Sequence, residues 1–378
     1  MIGAPYIIPN QRALTRLKRL PEGYGEAMEL LACEDPEAAG WGGSGNREII
    51  RDSAILNADG EYPITIRDDI GADFKPDPPV FNVVFPVNPD PDLASGREEL
   101  QRIRKLSEMP DVGGIYTDSG AGWSARYLNF RDDHFRVADL PLTYDDRTGR
   151  VAIFGKAPPV EHWRAMAQIL HPAGDVVFPN LGHGMTEPWS WFAVDICGCE
   201  QGRTGEEFLN FSRTLAHHKP VLFLGYLQLH GRDTFLLERD GLLQHVRRCA
   251  LMGIMPSIAI RPGYVEWYER DGDIYRRYIP IIKRLSAAGW EPVTHATAAQ
   301  DYVRVERFGP RDRVVYFTLL NEGAQTCEVT LTIDTQALGA GGLGVRSITD
   351  LLADAPMEPD GPVLEPGGLA VLAVELDG

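Results

Sequence analysis

The chain has 378 residues, 44% apolar and 24% charged, with a formal net charge of −17 and an isoelectric point near 5.0. That length accommodates one large α/β domain and a smaller second domain, and the composition is that of an ordinary globular protein. The strong negative charge argues against a nucleic-acid backbone or an anionic membrane as partner and leaves neutral ligands open.

Short apolar runs bounded by turn residues read as buried strands. Two weak ones come first, "PYIIP" (5–9) and "YPITI" (62–66). Then follow "FNVVFPVNP" (81–89), "GGIYTDS" (113–119), "DVVFPNL" (175–181), "FAVDICG" (192–198), "PVLFLGYL" (220–227) and "IMPSIAI" (254–260). Helical patterns separate the later runs: "VEHWRAMAQIL" (160–170), "GEEFLNFSRTLAHH" (205–218), "LLERDGLLQHVRRCALM" (236–252) and "IYRRYIPIIKRLSAAG" (274–289). Strand alternating with helix predicts a parallel sheet, and eight strands predict a closed (β/α)8 TIM barrel. Residues 129–159 read as a long insertion of the kind that shapes a cleft. After Gly289 the helical period stops, and "DYVRVERFG", "RVVYFTLLNEG", "CEVTLTID", "LGVRSITDLL" and "LAVLAVELDG" predict a small antiparallel β-sandwich. The expected division is residues 1–298 for the barrel and 299–378 for the β domain.

Barrel chemistry gathers where strands end. Asp118 closes "IYTDS", Asp195 sits in "FAVDICG", and Glu200 follows in "CGCEQGR". An acid on an apolar strand is costly unless it is paired, bound to a metal or turned to a cleft. Two carboxylates facing one another are what cleavage of a glycosidic bond requires: one protonates the departing oxygen, and the other attacks the anomeric carbon or activates water. Trp123, Trp189 and Tyr226 offer rings for a sugar face, while Asn180, His183, Arg261 and His134 offer hydrogen bonds to its hydroxyls. Trp163, at helical spacing with Met166 and Leu170, reads as core.

Other signals point away from other chemistries. Gly40-Gly42-Gly45 and Gly339-Gly341-Gly344 fit G-x-G-x-x-G, yet neither links a strand to a helix, and "GRVAIFGKA" lacks the spacing of a phosphate-binding loop. Neither H-E-x-x-H nor G-x-S-x-G occurs. Cys33, Cys197, Cys199, Cys249 and Cys327 are odd in number and scattered, and the Cys197/Cys199 pair has no second pair to complete a zinc site. No window approaches the ~20 apolar residues of a membrane span, and the opening "MIGAPYIIPNQRALTRLKRL" has too short an apolar region for a secretory signal. The expectation is a cytoplasmic protein with reduced thiols and no cofactor, its oligomeric state open.

"GGIYTDS" resembles the fourth-strand motif of barrel glycosidases of the α-galactosidase and endo-α-N-acetylgalactosaminidase groups, in which a nucleophilic aspartate ends an aliphatic-aromatic strand. The stretch "NFRDDHFRVADLPLTYDDRTGRV", with "VVFPN", "VDICGCE" and the ending "LEPGGLAVLAVEL", is similar to glycosidase-like bacterial proteins of this kind, over roughly residues 80–378. The resemblance implies Asp118 as nucleophile of a retaining glycosidase, Glu200 as acid/base with Asp195 as the other candidate, and a carbohydrate substrate. Such enzymes usually carry a β-sandwich ahead of the barrel, whereas this chain begins at or inside it. The alternatives are a non-catalytic carbohydrate-binding barrel, and a metal-dependent hydrolase using Asp118, His183 and Asp195.

Overall fold

A computed structural model describes residues 3–17, 20–33, 47–67, 81–118, 127–181, 188–200, 206–226, 238–259, 266–338, 344–357 and 361–377. The chain divides into two compact units, residues 1–200 and 201–378.

The first unit opens with strands β1 (Tyr6–Ile7) and β2 (Gln11–Leu17), helices α1 (Tyr24–Cys33) and α2 (Arg47–Ser53), and strands β3 (Thr65–Arg67) and β4 (Phe81–Pro86). β4 lies between β2 and β3 and pairs antiparallel with both. This corrects the expectation that "YPITI" and "FNVVFPVNP" supply parallel barrel strands. A continuous apolar run reports burial, not strand direction. Val83 and Phe85 bury here against Ala27, Met28 and Leu31 of α1 and Ile50 of α2, a local core that satisfies the run without a barrel.

Helix α3 (Ala94–Ser107) follows, burying Ser95, Gly96, Glu99, Leu100 and Ile103. Strand β5 (Gly114–Thr117) leads into the insertion, where β6 (Leu128–Asn129), β7 (Thr143–Tyr144) and β8 (Val151–Phe154) form a small antiparallel sheet with β8 in the middle. Helix α4 (Ala157–Leu170) starts with Pro158 and Pro159 in its first turn, where no intrahelical N–H is required. It buries Val160, Trp163, Met166 and Leu170, so Trp163 is core as its spacing predicts. Strand β9 (Val176–Pro179), the one-turn helix α5 (Pro188–Trp191) and strand β10 (Cys197–Glu200) complete the unit. β1, β5 and β9 form a parallel sheet in that order. β10 joins β9 through a parallel bridge between Gly198 and Asn180. Glycine is demanded at both contacts: a Cβ on Gly114 would lie 2.6 Å from the Val176 carbonyl oxygen, and one on Gly198 would lie 2.7 Å from that of Pro179.

In the second unit, α6 (Glu206–Ala216), β11 (Val221–Tyr226), α7 (Arg239–Met252), β12 (Met255–Ala259) and α8 (Glu266–Ala288) keep the strand–helix alternation, and β11 and β12 are parallel. Then come β13 (Trp290–Glu291), β14 (Ala296–Ala298), β15 (Val303–Arg311), β16 (Val314–Asn321), β17 (Cys327–Glu328) and β18 (Leu331–Ile333). The last strands are β19 (Val345–Asp350), β20 (Ala355–Pro356), β21 (Val363–Leu364) and β22 (Leu369–Leu376). An antiparallel sheet runs β13-β15-β16-β22-β19-β20, with two-stranded ribbons β14-β18 and β17-β21 beside it. Val315, Phe317 and Leu319 stand opposite Val374, Leu372 and Ala370, and this buried face packs with Val329, Leu338 and Leu364. The neighbouring positions serve the helices. Thr318 Oγ1 donates to the Leu251 carbonyl at 2.7 Å, and Arg247 of α7 donates to the Gly367 carbonyl at 3.0 Å. Gly253, at φ +67°, ends α7 where any side chain would overlap the Phe308 ring. Among the described residues no closed ring of strands is present.

Candidate active site

The parallel sheet β1-β5-β9 brings Asp118 to a built position. Register sets Tyr6 opposite Tyr116 and Tyr116 opposite Phe178, and their rings form a row across the three strands, with centroids 5.6 and 5.0 Å apart. Alternation sends Ile7, Ile115, Thr117 and Val177 to the other face, where all four are buried. Two residues beyond Tyr116 and Phe178, the same alternation returns Asp118 and Asn180 to the aromatic face. Asn180 Nδ2 donates to Asp118 Oδ1 at 2.9 Å, and the Tyr6 hydroxyl donates to Asp118 Oδ2. Backbone bonds hold this level of the sheet: Asp118 N to the Ile7 carbonyl at 2.8 Å, Asn180 N to that of Thr117 at 2.7 Å, and Leu181 N to that of Gly198 at 2.8 Å. Asp118 is half-buried, Asn180 is 5% exposed and Tyr6 is 44% exposed. The result is a half-buried carboxylate at the carboxyl end of a strand, with one oxygen held by Asn180 and the other by Tyr6. Tyr6 carries no sequence signal for this role; an ordinary tyrosine in a weak apolar run acquires it through strand register alone.

Asp195 lies elsewhere. The run "FAVDICG" is not one strand: α5 occupies 188–191, the strand begins only at Cys197, and Asp195 precedes it. Its Oδ2 accepts the Val177 N–H at 2.8 Å and lies 2.9 Å from His171 Nε2. Val177 is near the start of β9 and Asn180 just past its end, a span of about 10 Å along an extended strand. Asp118 and Asp195 therefore mark opposite ends of the sheet. The expectation of Asp195 as acid/base is corrected, and Asp118 and Asp195 are not brought together as a shared metal set would require. Glu200 is the last residue of β10, two beyond Gly198, so its backbone stands at the same end as Asp118. Among the described residues no cluster of three or more metal-ligating side chains forms.

His134 is also corrected. It is fully buried beneath the insertion, with its Nδ1 accepting from Asn129 Nδ2 at 2.9 Å and its Nε2 donating to the Asp52 carbonyl at 2.8 Å. Burial, aided by the Arg131 charge, holds its pKa below the ordinary histidine value. It is a neutral structural histidine that ties the insertion to α2, with no ring nitrogen left for a sugar. Trp189 is half-buried and meets Phe154 edge-on, with centroids 6.4 Å apart. That contact joins α5, which follows β9, to the insertion after β5. Trp123, His183 and Arg261 lie outside the described residues, as does the side chain of Tyr226.

A second carboxyl pair sits in the same unit. Asp90, between β4 and α3, and Glu161 of α4 are both buried and share a hydrogen bond. Burial pushes the Asp90 carboxyl up to about 7, reinforced by the Glu161 charge. The Leu140 N–H donates to Glu161 Oε1 at 2.5 Å, so the pair anchors the insertion. With both carboxyls enclosed, the pair is placed for packing.

No family model matches the chain, and no curated protein matches it. Among solved structures it is similar to a noncanonic maltogenic α-amylase from Thermotoga neapolitana, at 12% identity over 99% of this chain and 75% of that one, with a TM-score of 0.47. It is likewise similar to a β-L-arabinopyranosidase from Geobacillus stearothermophilus, at 9% identity, 77% and 63% coverage and a TM-score of 0.42. A third is α-galactosidase I from Mortierella vinacea, at 10% identity, 75% and 72% coverage and a TM-score of 0.40. No helix among the described residues is long and apolar enough to cross a membrane.

Proposed function

We propose that the protein is a glycoside hydrolase that cleaves an O-glycosidic bond of an oligo- or polysaccharide with retention of configuration. Asp118 is the nucleophile and Glu200 the acid/base. The observation that carries this reading is the Asp118 carboxylate at the end of β5, held by Asn180 through one oxygen and by Tyr6 through the other. A retaining glycosidase needs a charged, oriented carboxylate open to the anomeric carbon, and a second carboxyl about 5 Å away that first gives and then takes a proton. Glu200 fits the second role by chain position, since its strand neighbours β9 at the level of Asn180. In this reading the strand–helix alternation is that of a TIM-type barrel, with residues 299–378 as the C-terminal β domain. Trp189 supplies a wall for a sugar ring, and Trp123, His183, Tyr226 and Arg261 are the further substrate contacts.

The test is product release from a panel of aryl glycosides and oligosaccharides by wild type and Asp118→Asn. Turnover by wild type alone, with equal melting temperatures, supports the reading. A variant that unfolds instead makes Asp118 structural. Saccharide binding without cleavage by the wild type replaces the enzyme with a carbohydrate-binding protein.

A further inference from the structure

The two oxygens of Asp118 are not equivalent. Oδ1 faces Asn180, which is 5% exposed, whereas Oδ2 faces the hydroxyl of Tyr6, which is 44% exposed. We infer that Asp118 attacks through Oδ2 and that Tyr6 is a positioning residue whose hydroxyl speeds breakdown of the glycosyl-enzyme; the inference rests on the glycosidase reading.

In the first step an electron pair of Oδ2 forms a bond to the anomeric carbon. The bond from that carbon to the leaving oxygen breaks, its pair goes to that oxygen, and the acid, Glu200 in this reading, protonates it. Oδ1 becomes the ester carbonyl, which Asn180 Nδ2 can still hold. In the second step water attacks the anomeric carbon and gives its proton to the Glu200 carboxylate, while the bond to Oδ2 breaks and its pair returns to Oδ2. Negative charge therefore leaves Oδ2 in the first step and reappears on it in the second. A hydroxyl aimed at Oδ2 bonds more strongly to the carboxylate than to the ester, so it favours the step that restores the charge. The ring of Tyr6, tilted against that of Tyr116 with centroids 5.6 Å apart, gives the hydroxyl a fixed base from which to act.

This assignment separates Tyr6 from a residue that merely packs. Wild type, Tyr6→Phe and Tyr6→Ala are incubated with glucosyl, galactosyl and xylosyl fluorides in which the hydroxyl beside the anomeric carbon is replaced by fluorine. The mass gain on the Asp118 peptide and its decay are followed, alongside steady-state kinetics on an aryl glycoside. Tyr6→Phe should label at least as fast as wild type and lose the label about ten- to a hundredfold more slowly, the range implied by loss of one hydrogen bond to a charged group. Its kcat and KM should both fall while kcat/KM does not, the mark of slowed deglycosylation. Wild-type decay in Tyr6→Phe overturns the inference. So does an effect confined to Tyr6→Ala, which would reduce Tyr6 to ring packing. A wild type that neither labels nor turns over any substrate overturns the glycosidase reading itself, a result distinct from both.

Discussion

The His171 imidazole lies 2.9 Å from Asp195 Oδ2, beside the start of β9 and away from the Asp118 end. An aspartate in an apolar run thus serves to fasten the turn after α4 to the entry of β10. With Asp195 about a third exposed and His171 about half exposed, the pair is close to a surface ion pair in strength. Asp195→Ala should cost about 1 kcal/mol of stability, mostly through the lost Val177 N–H bond, and leave the turnover proposed above within twofold. Urea unfolding and kcat/KM check both halves; a loss of turnover without a loss of stability would return Asp195 to the active site.

The Asp90–Glu161 pair makes stability depend on pH. Burial raises the folded-state Asp90 carboxyl to about 7, whereas the unfolded chain releases its proton near 4. The folded form therefore binds more protons in that window, and the contribution is complete below about 4 and lost as pH rises through about 7. Asp92 beside Asp90, and Asp139 beside Glu161, add negative charge that works in the same direction. Asp90→Asn imitates the protonated form. It should match wild type at pH 4 and exceed it at pH 8 by on the order of 1–3 kcal/mol, measured by urea unfolding at each pH. A difference independent of pH would mean that the pair does not retain its proton.

Glu306 presents the opposite case. Burial works against its charge, but Arg213 at 2.7 Å, Arg304 at 2.8 Å and the Trp290 indole N–H at 2.7 Å hold the carboxyl below the usual glutamate range. The Arg213 guanidinium also lies 3.9 Å from the centre of the Trp290 ring. Glu306→Gln leaves two arginines without their counter-charge and should cost about 3 kcal/mol at pH 7. Because the folded pKa is lowered, this stabilisation is present above about 4.5 and fades as pH falls through the folded value, so the gap between wild type and variant should narrow on acidification.

Gly198→Ala tests the seam between β9 and β10. The new methyl would sit 2.7 Å from the Pro179 carbonyl oxygen and 3.0 Å from the Phe178 ring. Separation of the strands should cost about 1–3 kcal/mol and reduce turnover as well, since the chain reaches Glu200 two residues later. A folded variant with full activity would detach β10 from the site.

Strand–helix alternation, the change of grammar after Gly289 and the placement of Asp118 were legible in the sequence because each depends on local period or on a residue ending a run. What escaped depends on partners distant in the chain. β4 is as apolar as a barrel strand, and only its neighbours β2 and β3 make it antiparallel. Asp195 seemed to share a strand with Phe192, but the Trp-rich stretch before it turns into a helix and the strand starts later. His134 stood among charged residues typical of solvent, yet Asn88, Asn129 and the Asp52 carbonyl enclose its ring. Tyr6 acquires its meaning from a contact with Asp118, 112 positions away.

The fit of Gly253 against Phe308 has a consequence for how this protein can be cut or recombined. α7 ends directly on the β layer, Thr318 caps the carbonyl of Leu251, and Arg247 reaches across to Gly367. A scissor placed near residue 298, where the sequence grammar changes, would part the Leu251 carbonyl from Thr318 and Arg247 from Gly367, and would uncover Phe308 where Gly253 meets it. The C-terminal strands are thus less an attachable module than the floor on which α7 and α8 are laid, and neither fragment should be recovered soluble without the other.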